Sequence, residues 1–375
     1  MNRIVLIGNG FDLAHGLSSR YEDFVLHLIN DAINDLQKSK SAEKYKQLFV
    51  LLKNPSSQNS ILTYESLADL QSDPTCIKIP NFTYLGCPIN QDVSWNKSSA
   101  IKLQFNSKLF HKLFMSMNWT DIEKAYFTNL LEIFNHYGNE VIDNVDLNKL
   151  NSDFELIKSL LVEYISEISA DLVPINQNLR YHFDKCFDED DLYLSTFNHS
   201  RKQKIKQRFS NEKLERIIFV NFNYTNLVNH YIGNQSFEKY VIPIHGTIQD
   251  KKSIVFGYGD EMTEYYKKLE DLDSENVLKH FKSHYYHYKD YYARLLYEVE
   301  NFEFDVVIFG HSLGLSDRVL LNTIFENDNC KAIHLFHSGS ENHFKKRIAL
   351  SRHFDDKKAF RKKLIEETDY LNIKL

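Results

Sequence analysis

The sequence predicts an α/β fold built on a mostly parallel sheet, and three observations support this prediction. The chain opens on a short apolar run, residues 4–7, which leads directly into Gly8 and Gly10. Similar apolar runs return after residue 216 and alternate with helical patterns, as is typical of parallel strands covered on both faces. Residues 44–200 contain no comparable unit of strand, glycine turn and helix. We therefore expect a Rossmann-like sheet interrupted by a large, mainly helical insertion.

The first predicted strand ends in Gly-Asn-Gly, the arrangement with which a doubly wound sheet begins a nucleotide site. Gly8 permits a tight turn, and Gly10 lets the backbone approach a ligand closely. Gly16 comes later than the third glycine of the GxGxxG pattern, so an ordinary buried turn is an equal alternative at this stage. The loop by itself therefore does not decide between a ligand site and a structural turn.

Capping and breaker residues define the elements that follow. A helix over residues 21–36 is expected behind a capping box of Ser19 and Glu22, and a second box pairs Thr120 with Glu123. In the insertion we predict a helix over residues 44–53, a long loop with short strands at best over 54–104, a helix over 120–137 stopped by Gly138, and a helix over 147–172 stopped by Pro174.

Parallel-sheet patterning resumes after the insertion. Strands are predicted over residues 217–223, 239–246, 253–259, 305–314 and 330–339, with a helical stretch over 273–300. The predicted organisation is a discontinuous nucleotide-binding domain (1–36 and 205–340), the insertion (37–204) and basic C-terminal helices (341–375).

Polar residues follow several of these strands at the point where each strand ends. Ligands of doubly wound sheets bind at the carboxyl ends of the strands, so residues from four segments are expected at one edge. They are Asn9, Asp12, Asn223, Thr225, His245, His311, Ser312 and Asp317. Asn223 can hold a ribose hydroxyl or a water, and His245 can act as a general base. Their structural alternatives are a helix cap for Asn223 and a satisfied strand-end histidine for His245.

The segment Gly310-His311-Ser312-Leu313-Gly314 matches GxSxG between a strand and a helix, which is the setting of a serine-hydrolase nucleophile. The acid and base should follow that serine, yet only 63 residues remain. Asp317 is too close to be the usual acid, although His334 and His337 are available. This interpretation also gives no role to Gly8, Gly10 or Asn223.

Composition excludes few functions. The formal net charge is −6, and the four cysteines lack CxxC spacing, which fits a reducing cytoplasm. We identify no signal peptide and no apolar run long enough to cross a membrane. Two features keep minor alternatives open. A helical histidine cluster (280, 284, 287) has metal-like spacing without a placed acid, so no metal is predicted, and basic runs at 201–208 and 345–352 leave a nucleic-acid contact open but not favoured.

Several ordered motifs together resemble the AbiH family of bacterial phage abortive-infection proteins. The matching segments are GNGFDLAHGL (8–17), FNYTN (222–226), HG (245–246), FGYGDE (256–261) and FGHSLGLSD (309–317). The resemblance spans both ends of the chain and skips the middle. It implies a role in antiphage defence, with a phage-derived trigger or a defence-system protein as partner.

The same motifs resemble, more distantly, the sirtuin-like NAD-binding fold. The correspondences are the spacing of Gly8, Gly10, Gly16 and Leu17, Asn223-Tyr224 for the catalytic Asn-Tyr-Asp motif, His245-Gly246 for the catalytic His-Gly, and the loop at Gly310, His311, Ser312 and Leu313. The departures are Asn9, Asp12 and Ser18 in the first loop, Thr225 for aspartate, and a displaced Asp317. Protein deacetylation is not expected, because no CxxC zinc ribbon is present.

This second resemblance implies an NAD-hydrolysing enzyme with NAD as substrate and no separate cofactor. Asn223 and His245 would be catalytic, the loop at Gly8–Gly10 would receive the pyrophosphate, and Asp12 would contact a ribose. The remaining expected ligand contacts are Asn9, Gly16, Thr225, Gly310, His311, Ser312 and Asp317. We also expect self-association of the chain. The alternatives are a serine hydrolase using Ser312 and a non-catalytic nucleotide sensor or interaction protein.

Overall fold

The computed structural model describes residues 1–38, 43–57, 63–90, 94–95, 98–115, 120–142, 144–168, 173–184, 214–233, 238–335 and 340–365. The basic run at 201–208, His337 and the end of the tail lie outside these described residues. None of the described helices combines the length and the apolar character needed to cross a membrane.

The chain alternates between strands and helices. The strands are β1 (Asn2–Ile7), β2 (Phe49–Lys53), β3 (Cys76–Tyr84), β4 (Cys87–Asn90), β5 (Ile101–Phe105), β6 (Arg216–Asn221), β7 (Glu238–Pro243), β8 (Phe304–Phe309), β9 (Cys330–Leu335) and β10 (Leu364–Ile365). The helices are α1 (Asn9–Ala14), α2 (Tyr21–Gln37), α3 (Leu67–Ser72), α4 (Lys108–Phe114), α5 (Thr120–Tyr137), α6 (Val145–Glu167), α7 (Gln177–Asp184), α8 (Glu264–Glu270), α9 (Glu275–Leu278), α10 (Tyr291–Asn301), α11 (Arg318–Glu326), α12 (Ser340–Ser351) and α13 (Lys357–Lys363).

The main sheet has six strands in the order β7-β6-β1-β8-β9-β10, and every pair is parallel. Numbered along the chain, this order is 3-2-1-4-5-6, that of the Rossmann fold. The predicted fold class is therefore confirmed. The expectation that the first strand pairs in parallel with strands from the late part of the chain is confirmed too, since β1 lies between β6 and β8.

Both faces of the main sheet are covered, as the near-continuous apolar runs predicted. In β1, Ile4 and Leu6 belong to the core cluster on one face, while Val5 and Ile7 belong to the cluster on the other. All six residues of β1 and of β8 are buried. The strand order reverses between these two central strands. Ligand sites in such sheets lie at the carboxyl ends of the strands at this point.

The prediction of a strand over residues 253–259 is wrong. A 3₁₀ turn, Lys251–Ser253, opens the segment, and Tyr258 then forms only an isolated bridge with Phe281. Gly257 and Gly259 explain the difference, because their backbones press against the carbonyls of His280 and Ser316, where a Cβ would lie 2.1 and 2.3 Å away. The segment crosses the end of the sheet instead of joining it.

The other differences in this part of the chain concern element boundaries. The helical stretch predicted over 273–300 is divided into α9, a 3₁₀ helix (Lys282–Tyr288) and α10. The C-terminal helices α12 and α13 are present, but the two residues of β10 after them add a sixth strand beside β9. A two-residue strand at the end of a basic helix has no signature in the sequence.

The insertion contains a second sheet, in the order β2-β5-β3-β4, so the description "mainly helical" omits an element. The predicted helix over 44–53 is wrong, because residues 49–53 form β2, and the predicted loop over 54–104 contains β3, β4 and β5. A short apolar run suits a helix or a strand equally, and pairing with β5 decides for the strand. The helix α5 is confirmed, and α6 covers most of the range predicted for it.

The insertion core extends beyond the insertion itself. A single cluster unites the buried face of α2, the second sheet and α4 to α6 with Phe256, Tyr258 and Phe281 from the later part of the chain. Phe127 of α5 stacks on Tyr258 with ring centroids 3.9 Å apart. The predicted domain boundaries stay a prediction, but packing joins the insertion directly to the segment that crosses the main sheet.

The capping box predicted at Ser19 and Glu22 is wrong, and the Thr120 side chain of the second predicted box lies outside the described residues. At the start of α2 it is Asp23, not Glu22, whose carboxylate accepts the Arg20 backbone N–H, while Ser19 donates to the Asn9 side chain at 2.6 Å. Glu123 in α5 bonds instead to the Gly257 backbone and the Lys282 side chain. Two residues interpreted as local caps therefore make long-range contacts.

Arg3 and Asp305 form a buried ion pair between the central strands β1 and β8. The Arg3 guanidinium donates to both carboxylate oxygens at 2.9–3.2 Å and also to the Phe183 carbonyl on α7. We expect Asp305→Asn to lower the free energy of unfolding by about 3–5 kcal/mol, because the buried Arg3 guanidinium loses its interaction with the charge of Asp305. Urea unfolding measures this loss. Glu163→Gln in the half-exposed Lys44–Glu163 pair is the control, with an expected loss below about 1 kcal/mol; equal losses would contradict the prediction.

Candidate functional site

The glycine loop after β1 is closed by the loop after β8. A Cβ at Gly8 would lie 2.4 Å from the Cα of His311, and a Cβ at Gly10 would lie 2.7 Å from the Cα of Gly310. Gly310 itself has a φ of +72°. The N–H groups of Gly8 and Gly10 donate to the carbonyls of Phe309 and Gly310 at 3.1 and 3.0 Å. These glycines are therefore required by contact between two backbones of the protein.

Asn223 and Thr225, after β6, reach the same loop from the other side. The Asn223 amide donates to the Gly8 carbonyl at 3.1 Å, and the Thr225 hydroxyl donates to Asp12 at 2.8 Å. Asn221, the last residue of β6, holds this turn by accepting from the Asn223 backbone N–H and donating to the Thr225 carbonyl. Three residues that were expected at one edge, Asp12, Asn223 and Thr225, are thus in direct or adjacent contact.

Asp12 is an unusual carboxyl group. It is 2 % exposed, and its Oδ1 has no hydrogen-bond partner among the described residues. Burial raises the pKa of Asp12 to about 7, although hydrogen bonding with Thr225 and Asn223 opposes the shift. A carboxyl group of this kind can exchange a proton near neutral pH, and its bare oxygen can accept a ligand hydroxyl.

A second group forms around Asp317, at the carboxyl ends of β7 and β8. Asp317 contacts the Nε2 atoms of His245 and His311 at 3.1 and 3.6 Å. The Leu313 backbone N–H donates to the His311 Nδ1, so in neutral His311 the proton is on the Nε2 that faces Asp317. Phe222 packs edge-on against both imidazoles, with centroids 5.1 and 4.2 Å away. The structure therefore brings together His245, His311 and Asp317, as expected from their strand-end positions.

Two charged residues of this group were not identified from the sequence. Lys282 is buried at 1 % side-chain exposure and donates to Asp317 at 2.8 Å and to Glu123 at 2.9 Å. Lys282 occurs in a run of tyrosines and histidines, and Glu123 resembled a helix cap. The one sequence feature connected with Lys282 was the FGYGDE motif (256–261). The carbonyl of Tyr258 in this motif accepts the Lys282 backbone N–H.

The charges of this group determine its ionisation. Burial alone would raise the pKa of Asp317, but Lys282, His245 and the histidine hydrogen bonds hold that pKa well below its usual range. The pKa of Lys282 is raised, because the attraction of Asp317 and Glu123 outweighs its burial. Burial lowers the pKa of His311. Asp317 is therefore an anion and Lys282 a cation at neutral pH, beside two imidazoles.

Three other predicted residues have different surroundings. Gly16 is exposed with a φ of +79° and ends α1, and the Asn9 side chain accepts a hydrogen bond from Ser19.

Ser312, the predicted serine-hydrolase nucleophile, is exposed. His311 faces Asp317, and His334 approaches Asp305. Among the described residues, no hydrogen bond joins Ser312 to a histidine. In the same part of the chain, no group of three or more His, Cys, Asp or Glu is placed to hold a metal ion.

The strand order and the position of these groups define a Rossmann-like α/β protein with a candidate ligand site at the point where the strand order reverses. The chain matches the family model "Bacteriophage abortive infection AbiH" over residues 4–338, and it belongs to that family. Family membership implies a role in abortive-infection defence. No curated protein and no solved structure was found to match the chain.

The raised pKa of Asp12 generates a pH-dependent prediction. A protonated Asp12 favours the folded state, so this stabilisation is complete below the ordinary pKa of 3.8 and is lost as the pH rises to about 7. We expect Asp12→Asn to gain stability relative to the parent chain, by about 2–3 kcal/mol more at pH 8 than at pH 5. Urea unfolding at both pH values measures the difference. Asp271→Asn, at an exposed position, is the control variant, and an Asp12→Asn difference independent of pH would refute the assignment.

Proposed function

We propose that this chain is an abortive-infection effector that binds NAD or a related nucleotide at the carboxyl edge of the main sheet and hydrolyses its nicotinamide–ribose bond. The observation that carries the proposal is the position of Asn223 and His245 after the paired strands β6 and β7: Asn223 donates to the Gly8 carbonyl, and the His245 ring packs against Phe222 and Tyr224, which flank Asn223. Rossmann-like sheets bind their ligands at this edge. The AbiH membership supports the defence role. The more distant resemblance to the sirtuin-like fold supports the choice of NAD.

The proposed reaction needs little covalent chemistry from the protein. The bond between the ribose C1′ and the nicotinamide nitrogen breaks, its electron pair leaves with nicotinamide, and water adds to C1′ and loses a proton. His245 accepts that proton, and Asp317 orients the imidazole through Nε2. Asn223 positions the ribose or the water. Asp12 contacts a ribose hydroxyl through its unpartnered oxygen.

The glycine loop has a smaller role in this proposal than its sequence suggests. The N–H groups of Gly8, Gly10 and Phe11 already donate to carbonyls of the protein. Recognition of the nucleotide therefore depends more on Asp12, Asn223 and His245 than on a cradle of loop amides.

His245 supplies the main test. We expect His245→Asn to lower NAD turnover by roughly 10²–10⁴-fold, the usual contribution of a general base, and to abolish phage protection. Asn223→Ala should have a similar effect, and the double variant should lose little more, because both residues act in one step. Nicotinamide release, cellular NAD and plaque counts measure these effects, and thermal melting verifies folding.

The exposed His136 on α5 provides the control, since His136→Asn removes a histidine that lies outside the site. Full protection by a folded His245→Asn protein would overturn the catalytic assignment. If His245→Asn loses protection but the parent chain also leaves cellular NAD unchanged, the site assignment stands and NAD is rejected as the substrate. Tight NAD binding without turnover, even during infection, would favour a nucleotide sensor.

Ser312 distinguishes this proposal from a serine hydrolase. The surroundings of Ser312 place His311 against Asp317 and away from the serine hydroxyl. We therefore expect a fluorophosphonate probe to leave Ser312 unlabelled. Mass spectrometry of the probe-treated protein tests this expectation, with a known serine hydrolase as positive control. Stoichiometric labelling of Ser312 would favour the hydrolase.

A further inference from the structure

The carboxylate of Glu123, on helix α5 of the insertion, contacts residues of the candidate site. The Glu123 Oε1 accepts from the Gly257 backbone N–H at 3.2 Å, and its Oε2 accepts from the Lys282 Nζ at 2.9 Å. Both partners belong to the late part of the chain, 134 and 159 residues away. The Glu123 side chain is only 10 % exposed. This contact therefore lies inside the protein, where water screens charges weakly.

Lys282 connects Glu123 to Asp317, and Asp317 in turn contacts His245. Its Nζ is shared between Glu123 and Asp317, and Asp317 Oδ1 is shared between Lys282 and His245. A buried lysine with two carboxylate partners depends on both, since removal of either changes the charge that the remaining groups must balance. The position of Glu123 thus affects how Asp317 meets His245.

A second contact from the same helix holds the same lysine. The Phe127 ring of α5 stacks on Tyr258, and the Tyr258 carbonyl accepts the Lys282 backbone N–H at 2.9 Å. One contact acts on the lysine backbone and the other on its ammonium group. Because the two are independent, the alignment of α5 with Lys282 does not depend on one side chain alone.

We propose that Glu123 is a positioning residue of the candidate site, which acts through Lys282 and Asp317 to orient His245 and makes the insertion an integral part of that site. The proposal rests on the site named under the proposed function, but not on NAD as its substrate. A protein that binds the insertion and shifts α5 would alter the site through this chain of contacts.

The experiment uses the full chain and compares two variants on one helix. Glu123→Gln removes the charge that faces Lys282 and keeps an oxygen for Gly257. Glu132→Gln, nine residues along α5, removes a carboxylate that binds Lys108 and Lys112 within the insertion. Phage protection, NAD turnover, thermal melting and the downfield imidazole N–H proton of His245 are measured for both. The proton signal is assigned with His245→Asn and reports the bond to Asp317 directly.

We expect Glu123→Gln to reduce protection by roughly 10–100-fold and to shift or broaden the His245 signal, as occurs when a positioning partner is lost. Glu132→Gln should match the parent chain in both. If Glu123→Gln does not fold, Glu123→Asp takes its place. Its shorter side chain keeps the charge but cannot hold both the 2.9 Å and the 3.2 Å contact.

The outcomes separate this inference from the proposed function. A folded Glu123 variant with unchanged protection and an unchanged His245 signal overturns the inference, as do equal losses in the Glu123 and Glu132 variants. If neither the parent chain nor any variant consumes NAD, but the Glu123 variant alone loses protection and the His245 proton signal, the inference stands and the proposed substrate fails. If the parent and Glu123 variants consume NAD equally, protect equally and show the same His245 signal, the inference fails and the proposed function stands.

Discussion

The sharing of one buried ammonium group between two carboxylates links the parts of this protein. Lys282 forms ion pairs with Asp317, after β8, and with Glu123, on α5 of the insertion, and it has almost no contact with water. An unpaired charge in such a position is costly, so each partner must remain in place. The insertion, the segment that crosses the sheet and the strand-end histidines are therefore held in a single arrangement by the requirement for charge balance.

The close approach of two backbones determines where that arrangement is built. Gly8, Gly10 and Gly310 let the loops after β1 and β8 touch at the point where the strand order reverses. A side chain at any of these positions would collide with main-chain atoms, which cannot move aside as a flexible side chain can. Asn223 then reaches the Gly8 carbonyl from β6. The turn that resembles a nucleotide loop thus also serves as the junction of three strands.

The pKa values of two carboxyl groups at the carboxyl edge of the main sheet are shifted in opposite directions. Burial with few compensating contacts raises the pKa of Asp12 to about 7, whereas Lys282 and the histidines hold the pKa of Asp317 low. Carboxyl groups whose surroundings separate their pKa values in this way are typical of acid and base roles in enzymes. One group can gain or lose a proton near neutral pH, and the other supplies a permanent negative charge beside two imidazoles.

The sequence by itself determined the parallel sheet, because buried strands are recorded in local apolar runs, and it located Asp12, Asn223, His245, His311 and Asp317 through their positions after those runs. Only the tertiary structure decided that residues 49–53 form a strand, that residues 253–259 do not, and that Glu123 and Lys282 join the site. A local pattern records whether a residue is buried, but it does not record its partner. The partners of Lys282 lie 35 and 159 residues away, and only the folded chain brings them together.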